Sequence, residues 1–231
     1  MIRTETHEEF RLATLEMEAG HYLDLTSLLS LIEDPNHGRL WNLLHDNGIR
    51  IESAKGSSNN HQAWVGGYLD HVVETMNIAC QQYLWMSKAR RLPFELSEAL
   101  EVMFLHDLEK PWKHTNLCWC GHFKEQHLED GCAVCADEQC AELKDHEFKQ
   151  IQIKTKQERR EFREKLIRQY MINLSEEQEN ALKYVEGVPD SEYTPGERTM
   201  GELAAFCHCC DILSARMWHD KGQGIPAPAW E

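Results

Sequence analysis

Hydrophobic residues recur at helical spacing over most of the chain. A first stretch of this kind runs from Glu8 to Leu31 and loosens near Gly20. A second, from Arg39 to Leu44, places its leucines on one face, and the pair Asn47-Gly48 that follows predicts a helix end. The polar residues from Glu52 to Gln62 then predict a loop. We therefore expect the N-terminal part of the chain to consist of helices followed by one polar loop.

Further periodic segments continue this pattern toward the C-terminus. They are Val65–Tyr83, Leu96–Leu105, Lys156–Tyr170, Ser175–Tyr184 and Met200–Trp218. The fourth opens on Ser175 and Gln178, which have the spacing of a helix capping box. No segment of useful length alternates as a β-strand would, and the sequence contains no internal repeat. The predicted fold class is therefore all-α, a helical bundle.

The helical period disappears between Asn116 and Cys140, where turn residues and potential metal ligands take its place. We therefore predict a helical domain formed by residues 1–115 and 141–221, with a loop-rich insert at 116–140. The glycine and proline residues near the C-terminus predict a flexible tail at 222–231.

The chain of 231 residues is acidic: 24 lysines and arginines against 39 aspartates and glutamates give a net charge of −15. This charge repels polyphosphate, which excludes the surface as a whole as a nucleic-acid platform. An anionic partner must then meet a local basic site or a metal ion. No stretch approaches the ~18 apolar residues of a membrane span, and the acidic N-terminus lacks a signal-peptide core. We expect no membrane partner and a cytoplasmic location, which for a viral protein means the host cytoplasm.

One segment departs from the acidic average. Residues 149–168 contain eight basic and three acidic side chains, a local charge of 8 − 3 = +5. Three glutamates alternate with the arginines there, which favours a solvated helix face. The alternative interpretation is a surface for polyphosphate or for a nucleic-acid strand.

The insert is rich in cysteine and histidine, and the chain shows no export signal that would favour disulfides. The two-residue gap between Cys132 and Cys135 allows both thiolates to bind one ion, as in zinc knuckles and ribbons. We therefore predict one structural Zn. Its most favoured ligands come from Cys118, Cys120, His127, Cys132 and Cys135, with His122 as an alternative. These are six candidates for four places, so the ligand set stays open.

Three further segments carry histidine and aspartate on separate predicted helices. They are Gly66–His71 (GGYLDH), Phe104–Lys110 (FLHDLEK) and His208–Asp211 (HCCD). The pair His106-Asp107 follows the apolar residues 102–105, and an unpaired charge at such a buried helix end would be costly. A bound cation removes that cost. Imidazole and carboxylate ligands converging in this way suit Zn, Mn, Fe, Co or Ni better than Ca.

These segments resemble the HD-domain metal-dependent phosphohydrolase superfamily, in particular the branch that contains the YhaM-type 3′→5′ exoribonucleases. Gly66–His71 resembles the Gly-Gly-Leu-Leu-Glu-His pattern of that branch, and Leu105–Lys110 resembles its Leu-His-Asp-Ile-Gly-Lys. Asp211–Met217 resembles its final aspartate segment, and the likeness covers most of residues 50–115 and 176–218. The resemblance implies one catalytic divalent transition metal with four ligands: His71, His106, Asp107 and Asp211.

The chain departs from that family at two places. Where many relatives carry histidines before a glycine, this chain reads Tyr184–Gly187, so a single metal is favoured and Glu186 is the candidate polar group there. In addition, Glu109 replaces the usual glycine after the His-Asp pair, so the turn is expected to differ.

The reaction implied by the resemblance is hydrolysis assisted by a metal ion, which lowers the pKa of its bound water toward ~7. Asp107 would both bind the metal and orient this water, and Lys110 would contact a phosphate or the transition state. Lys55 and Arg216 are candidate countercharges for phosphate. His61 and His208 are candidates for proton donation or for a substrate-side or structural hydrogen bond.

The function favoured by these features is hydrolysis of a small nucleotide substrate, with a deoxynucleoside triphosphate triphosphohydrolase of the kind used by phages as its specific form. The first alternative is a 3′→5′ exonuclease on single-stranded nucleic acid. The second is a non-catalytic, zinc-stabilised adaptor. A homo-oligomer is compatible with each of them.

Overall fold

The computed structural model describes residues 2–58, 61–114, 127–128, 131–132 and 153–217. The regular secondary structure of this part is helical apart from two strands of two residues each, in keeping with the predicted all-α class. The helices are α1 (Ile2–Glu18), α2 (Leu25–Ser30), α3 (Asn36–Ser53), α4 (Gly67–Ala89), α5 (Leu96–Leu105), α6 (Lys110–Lys113), α7 (Lys156–Gln169), α8 (Glu176–Tyr184) and α9 (Glu202–Met217). A 3₁₀ turn, Asp190–Glu192, follows α8.

The long N-terminal periodic stretch is divided between α1 and α2. Gly20 adopts a φ of +80°, a left-handed conformation that glycine tolerates and that ends the first helix. Asp24 then caps α2, because its carboxylate accepts a hydrogen bond of 2.7 Å from the backbone N–H of Ser27. Where the helical pattern of the sequence loosens near Gly20, the structure therefore has a complete break between α1 and α2.

Helix α3 contradicts the predicted stop at Asn47-Gly48, because it continues to Ser53. The Asn47 amide donates hydrogen bonds of 2.9 Å to the Leu43 carbonyl and to the Tyr170 hydroxyl, so it is engaged inside the helical conformation. These partners lie on α3 and just after α7. Tertiary contact thus outweighs the local turn preference of this dipeptide.

Capping boxes open three of the later helices. The predicted box at Ser175 and Gln178 is confirmed at the start of α8. Equivalent boxes formed by Glu95 with Glu98 and by Thr155 with Glu158 open α5 and α7. These caps satisfy backbone N–H groups that the first helical turn leaves without partners, and so fix where each helix begins.

Helix α5 lies at the centre of the bundle, with α4, α8 and α9 packed around it. Its residues are buried from Ala99 to Leu105. One buried carboxylate on α5, Glu101, accepts hydrogen bonds from the amides of Asn36 on α3 at 2.7 Å and Gln178 on α8 at 2.8 Å. These hydrogen bonds connect α3, α5 and α8. The C-terminal end of α5 leads directly into His106 and Asp107.

Most of the predicted zinc insert lies outside the described residues, including Cys118, Cys120 and Cys135. The described backbone there consists of β1 (His127–Leu128) and β2 (Gly131–Cys132), which pair antiparallel with His127 opposite Cys132. The predicted tail at 222–231 also lies outside the described residues. Among the helices that the structure describes, none is both long and apolar enough to cross a membrane.

Candidate metal centre

Four residues from three helical segments converge at the heart of the bundle. His71 lies in the second turn of α4, His106 and Asp107 follow the last residue of α5, and Asp211 lies in the middle of α9. His71, His106 and Asp107 are buried, while Asp211 is partly buried. Since the predicted positions 106, 107 and 211 do meet, the arrangement expected from the sequence is present in the structure.

The distances among these side chains match those between neighbouring ligand atoms of one metal ion. His71 Nε2 lies 3.1 Å from His106 Nε2 and 3.2 Å from Asp211 Oδ1. Asp107 Oδ2 lies 3.4 Å from His71 Nε2 and 3.2 Å from His106 Nε2. Two ligands each ~2.1 Å from one ion are ~3.0 Å apart at a right angle and ~3.4 Å apart at a tetrahedral angle. The cluster of His71, His106 and Asp211, whose ligand atoms lie within 4.8 Å of one another, could therefore hold a metal ion.

The hydrogen bonds behind the two imidazoles decide which nitrogen faces the centre. His106 Nδ1 lies 2.7 Å from the Met103 carbonyl, which only accepts, so Nδ1 carries the proton. His71 Nδ1 lies 3.0 Å from Ser214 Oγ, and that hydroxyl gives its own hydrogen to Glu74 Oε2 at 2.8 Å. His71 therefore donates to Ser214. Both Nε2 atoms consequently present lone pairs to the centre, as metal ligation requires.

Two lone pairs and two carboxylates thus face each other in a buried space, and an added positive charge is needed to balance them. Burial lowers the pKa of His106, but the charges and hydrogen bonds of Asp107 and Asp211 outweigh it and raise that pKa to about 10. A proton can supply the charge in the metal-free protein. A divalent cation supplies two positive charges where a proton supplies one, so these residues fit a metal ion.

Lys110 provides the remaining charge balance near Asp107. Its ammonium group contacts Asp107 Oδ2, one turn away along the chain. Burial raises the pKa of Asp107, but Lys110 and His106 hold it well below its usual range. The Asp107 carboxylate therefore stays ionised, which is the form that can bind a cation.

A cleft of about 310 Å³ opens onto this centre. Asp107 and Asp211 line it, and Lys110, Lys113 and Arg159 contribute positive charge to its lining. Its volume is at the small end of the range for ligand pockets. Three carboxylates, Asp107, Glu186 and Asp211, balance these cations, so a bound divalent metal ion would give the cleft a positive charge that suits an anionic group such as a phosphate.

Two further histidines, His61 and His114, line the same cleft. Burial and the charge of a neighbouring lysine lower the pKa of each of them to about 4. Both rings are therefore neutral at pH 7. The His61 ring lies 5.4 Å from that of His71, so the structure places this predicted proton donor beside the centre.

Of the other predicted site residues, one lines the cleft and three do not. Glu186 lines the cleft, where its carboxylate pairs with the Arg159 guanidinium at 3.0 Å. Lys55 and Arg216 are not among the lining residues, and Arg216 is exposed near the end of α9. His208 does not line the cleft either: its Nδ1 donates to the Val185 carbonyl at 2.6 Å, so this ring holds the turn that carries Glu186.

The sequence did not reveal the residues that support the ligands. Gln62 donates hydrogen bonds to Glu74 at 2.8 Å and to Ser214 at 3.2 Å, completing the network behind His71. Arg163 donates to the His106 carbonyl and, at 2.9 Å, to the Leu182 carbonyl. The Gly66-Gly67 pair was the available sign in the sequence that the backbone packs closely here. A Cβ on Gly67 would lie 2.0 Å from the Gln62 carbonyl oxygen.

Comparison with protein-family models, with curated proteins and with solved structures finds no match for this chain.

Proposed function

We propose that this chain is a metal-dependent phosphohydrolase of the HD type that acts on nucleotides, with a deoxynucleoside triphosphate as its favoured substrate. One observation carries the proposal. His71 and His106 both turn the lone pair of Nε2 toward the same point as Asp107 and Asp211, and each imidazole has its other nitrogen fixed by a hydrogen bond. This is the arrangement expected of a metal site with an orienting outer shell.

A divalent cation bound there would lower the pKa of a coordinated water toward ~7 and polarise a phosphoryl oxygen. Asp107, whose carboxylate is ionised, would help to hold this cation and to orient the attacking water. Lys110, Lys113 and Arg159 attract the phosphate groups into the cleft and balance the charge that develops on them. His61, which is neutral at pH 7, would hydrogen-bond to a substrate in the cleft without adding charge.

The charges on α7 favour a small nucleotide over a nucleic-acid strand. Outside the cleft, Arg160 pairs with Glu164 at 2.9 Å, and Arg168 lies 3.8 Å from the other oxygen of the same carboxylate. These arginines are therefore engaged within the chain, and a long polyanion would have to displace both pairs. The exonuclease remains the alternative, and the adaptor is the second alternative, which predicts no turnover at all.

The proposal is tested by incubating the protein and Mn²⁺, Co²⁺, Ni²⁺, Fe²⁺ or Zn²⁺ with deoxynucleoside and nucleoside triphosphates, monophosphates and 3′-labelled single strands. We expect triphosphates to be consumed with release of inorganic tripolyphosphate, and Asp107→Ala to reduce the rate at least about 100-fold. The matched control is Asp46→Ala, which alters the other His-Asp pair that the structure describes, on the surface.

Stepwise shortening of the labelled strands in place of tripolyphosphate release would select the exonuclease. No metal-dependent turnover of any substrate would select the adaptor, and equal activity in Asp107→Ala and Asp46→Ala would remove the proposed site.

A further inference from the structure

A second cavity, of about 600 Å³, lies directly beside the cleft, between α7 and the segment formed by α8 and the 3₁₀ turn. We call it the α7–α8 pocket. Arg159 and Glu186 line both cavities, so their ion pair forms a shared wall. A phosphate entering the cleft would compete with Glu186 for Arg159. A ligand bound in the cleft can therefore extend into the α7–α8 pocket past this pair.

The charged side chains that line the α7–α8 pocket balance, as they do in the cleft, but only the cleft contains the candidate metal ligands Asp107 and Asp211. Five basic and five acidic side chains line the α7–α8 pocket, so they sum to zero. Three ion pairs account for most of them: Arg159 with Glu186, Arg160 with Glu164 and Lys183 with Glu192. Leu182 and Pro189 add an apolar part to the lining. This composition suits an uncharged, polar group with an apolar face better than it suits another phosphate.

One buried acceptor in this lining has no partner. Glu109 is 1% exposed, and its Oε2 has no hydrogen bond among the residues that the structure describes. The nearby Arg163 does not supply one, since it donates to the backbone carbonyls of His106 and Leu182. A buried carboxylate oxygen without a donor is costly, and a ligand hydroxyl or N–H group would remove the cost.

The position of Glu109 along the chain indicates which part of a nucleotide would reach it. It lies two residues after Asp107 and directly before Lys110, both of which line the cleft. Glu109 therefore joins the lining of the α7–α8 pocket to the segment that carries the candidate metal ligand Asp107. In a nucleotide the sugar lies between the phosphates and the base, so the sugar hydroxyl is the donor that follows the phosphates most closely.

We infer that the α7–α8 pocket binds the nucleoside part of the substrate, with a sugar hydroxyl donating to Glu109 and the base lying between α7 and the 3₁₀ turn. This inference rests on the proposed function for the position of the phosphates. Glu109, which replaces a glycine of the resembled family, then has a specific role: it distinguishes a nucleotide from a bare polyphosphate.

The test compares two probes in the presence of Mn²⁺: a deoxynucleoside triphosphate in which a methylene group replaces the 5′ oxygen, so that the bond broken by the proposed reaction is absent, and inorganic tripolyphosphate. Dissociation constants are measured by calorimetry for the full chain, for Glu109→Gln and for Ser191→Trp, which adds a large ring at the rim of the pocket. Ser87→Trp on the exposed face of α4 is the matched control. We expect both pocket variants to raise the dissociation constant of the nucleotide about tenfold and to leave that of tripolyphosphate unchanged.

A 2′,3′-dideoxy form of the same nucleotide identifies the group that meets Glu109. It should bind the wild-type chain about tenfold more weakly than the deoxy form and bind Glu109→Gln no worse than the deoxy form does. The inference is overturned if the pocket variants reduce the affinity for both probes equally, or if neither variant reduces the affinity for the nucleotide. It is also overturned if the dideoxy form binds the wild-type chain as tightly as the deoxy form does.

The two proposals fail separately in these experiments. Binding that follows the expected pattern without any hydrolysis would retain the nucleoside pocket and reject the phosphohydrolase. Hydrolysis that depends on Asp107, together with unchanged nucleotide binding in Glu109→Gln and Ser191→Trp, would retain the phosphohydrolase and reject the pocket.

Discussion

The hydroxyl of Ser214 links the candidate ligand His71 to the buried interior of the protein. It accepts from His71 Nδ1 at 3.0 Å, donates to Glu74 at 2.8 Å and accepts from Gln62 at 3.2 Å. Because Ser214 is fully buried, no solvent can replace these contacts. The hydroxyl thereby fixes both the tautomer and the orientation of the imidazole.

Replacing Ser214 by alanine should therefore weaken metal binding. We expect Ser214→Ala to reduce the affinity for Mn²⁺ or Zn²⁺ by about 10–100-fold, since outer-shell partners of ligating histidines have effects of this size. Calorimetric titration of the metal-free protein measures this change. Ser30→Ala, at another buried serine remote from the ligands, is the control and should retain full affinity. Equal affinities in the two variants would exclude the role assigned to Ser214.

The sequence indicated the candidate ligands but not the residues that support them. His106 and Asp107 were predictable because an apolar run precedes them, so that two polar side chains at a buried helix end required an explanation. Ser214 and Glu74 offered no comparable signal, since they are common residue types 140 positions apart in the chain. Their proximity depends on the packing of α9 against α4, which no local pattern encodes.

At the level of elements, the start of α4 brings the loop before it against the candidate site. Gly66 has a φ of +84°, and the backbone of Gln62 packs directly on Gly67. Only a residue without a Cβ permits this approach, which delivers Gln62 to the network behind His71. The glycine pair is thus needed for packing as well as for the turn.

A methyl group at position 67 should disturb this junction. A Cβ on Gly67 would lie 2.0 Å from the Gln62 carbonyl oxygen, so Gly67→Ala must displace backbone and should destabilise the protein by about 1–3 kcal/mol. Gly38→Ala in α3 is the matched control, because a Cβ there meets no atom within 4 Å. It should stabilise the protein by about 0.5–1 kcal/mol. Urea unfolding of both variants measures the difference, and a shift of the same sign in both would contradict this packing argument.

Helix boundaries were predicted well where caps define them and poorly where tertiary contacts do. The segment predicted as Leu96–Leu105 is helix α5 with the same bounds, and the box at Ser175 opens α8. Helix α3, in contrast, passes through Asn47 and Gly48 because Tyr170 provides the Asn47 amide with a partner. That partner lies 123 residues away, so a local reading could not include it.

For the molecule as a whole, the cleft departs from the acidic average of the chain, because basic and acidic side chains balance in its lining. The net charge is −15, yet Lys110, Lys113 and Arg159 share one small cleft beside the candidate metal centre. The surrounding negative potential favours cations and disfavours nonspecific polyanions. This distribution is consistent with a small phosphorylated substrate that is bound together with a divalent metal ion.

The predicted zinc insert gives a second metal prediction, independent of the first. The purified chain should contain one tightly bound Zn per protein molecule, and this Zn should remain in Asp107→Ala, because Asp107 belongs to the other site. Substitution of Cys132 and Cys135 by serine should remove it, since thiolates bind Zn far more strongly than hydroxyls do. Elemental analysis of the three proteins measures the content, and well-folded wild-type protein without Zn would refute the insert as a zinc module.

The central claim is that His71, His106, Asp107 and Asp211 bind one common cation. The most direct measurement is diffraction from crystals grown with Mn²⁺ or Zn²⁺, recorded on both sides of the absorption edge of the metal. We predict an anomalous peak about 2.0–2.2 Å from Nε2 of both histidines and in contact with both carboxylates. A metal-loaded crystal with no anomalous density between these four side chains would contradict it.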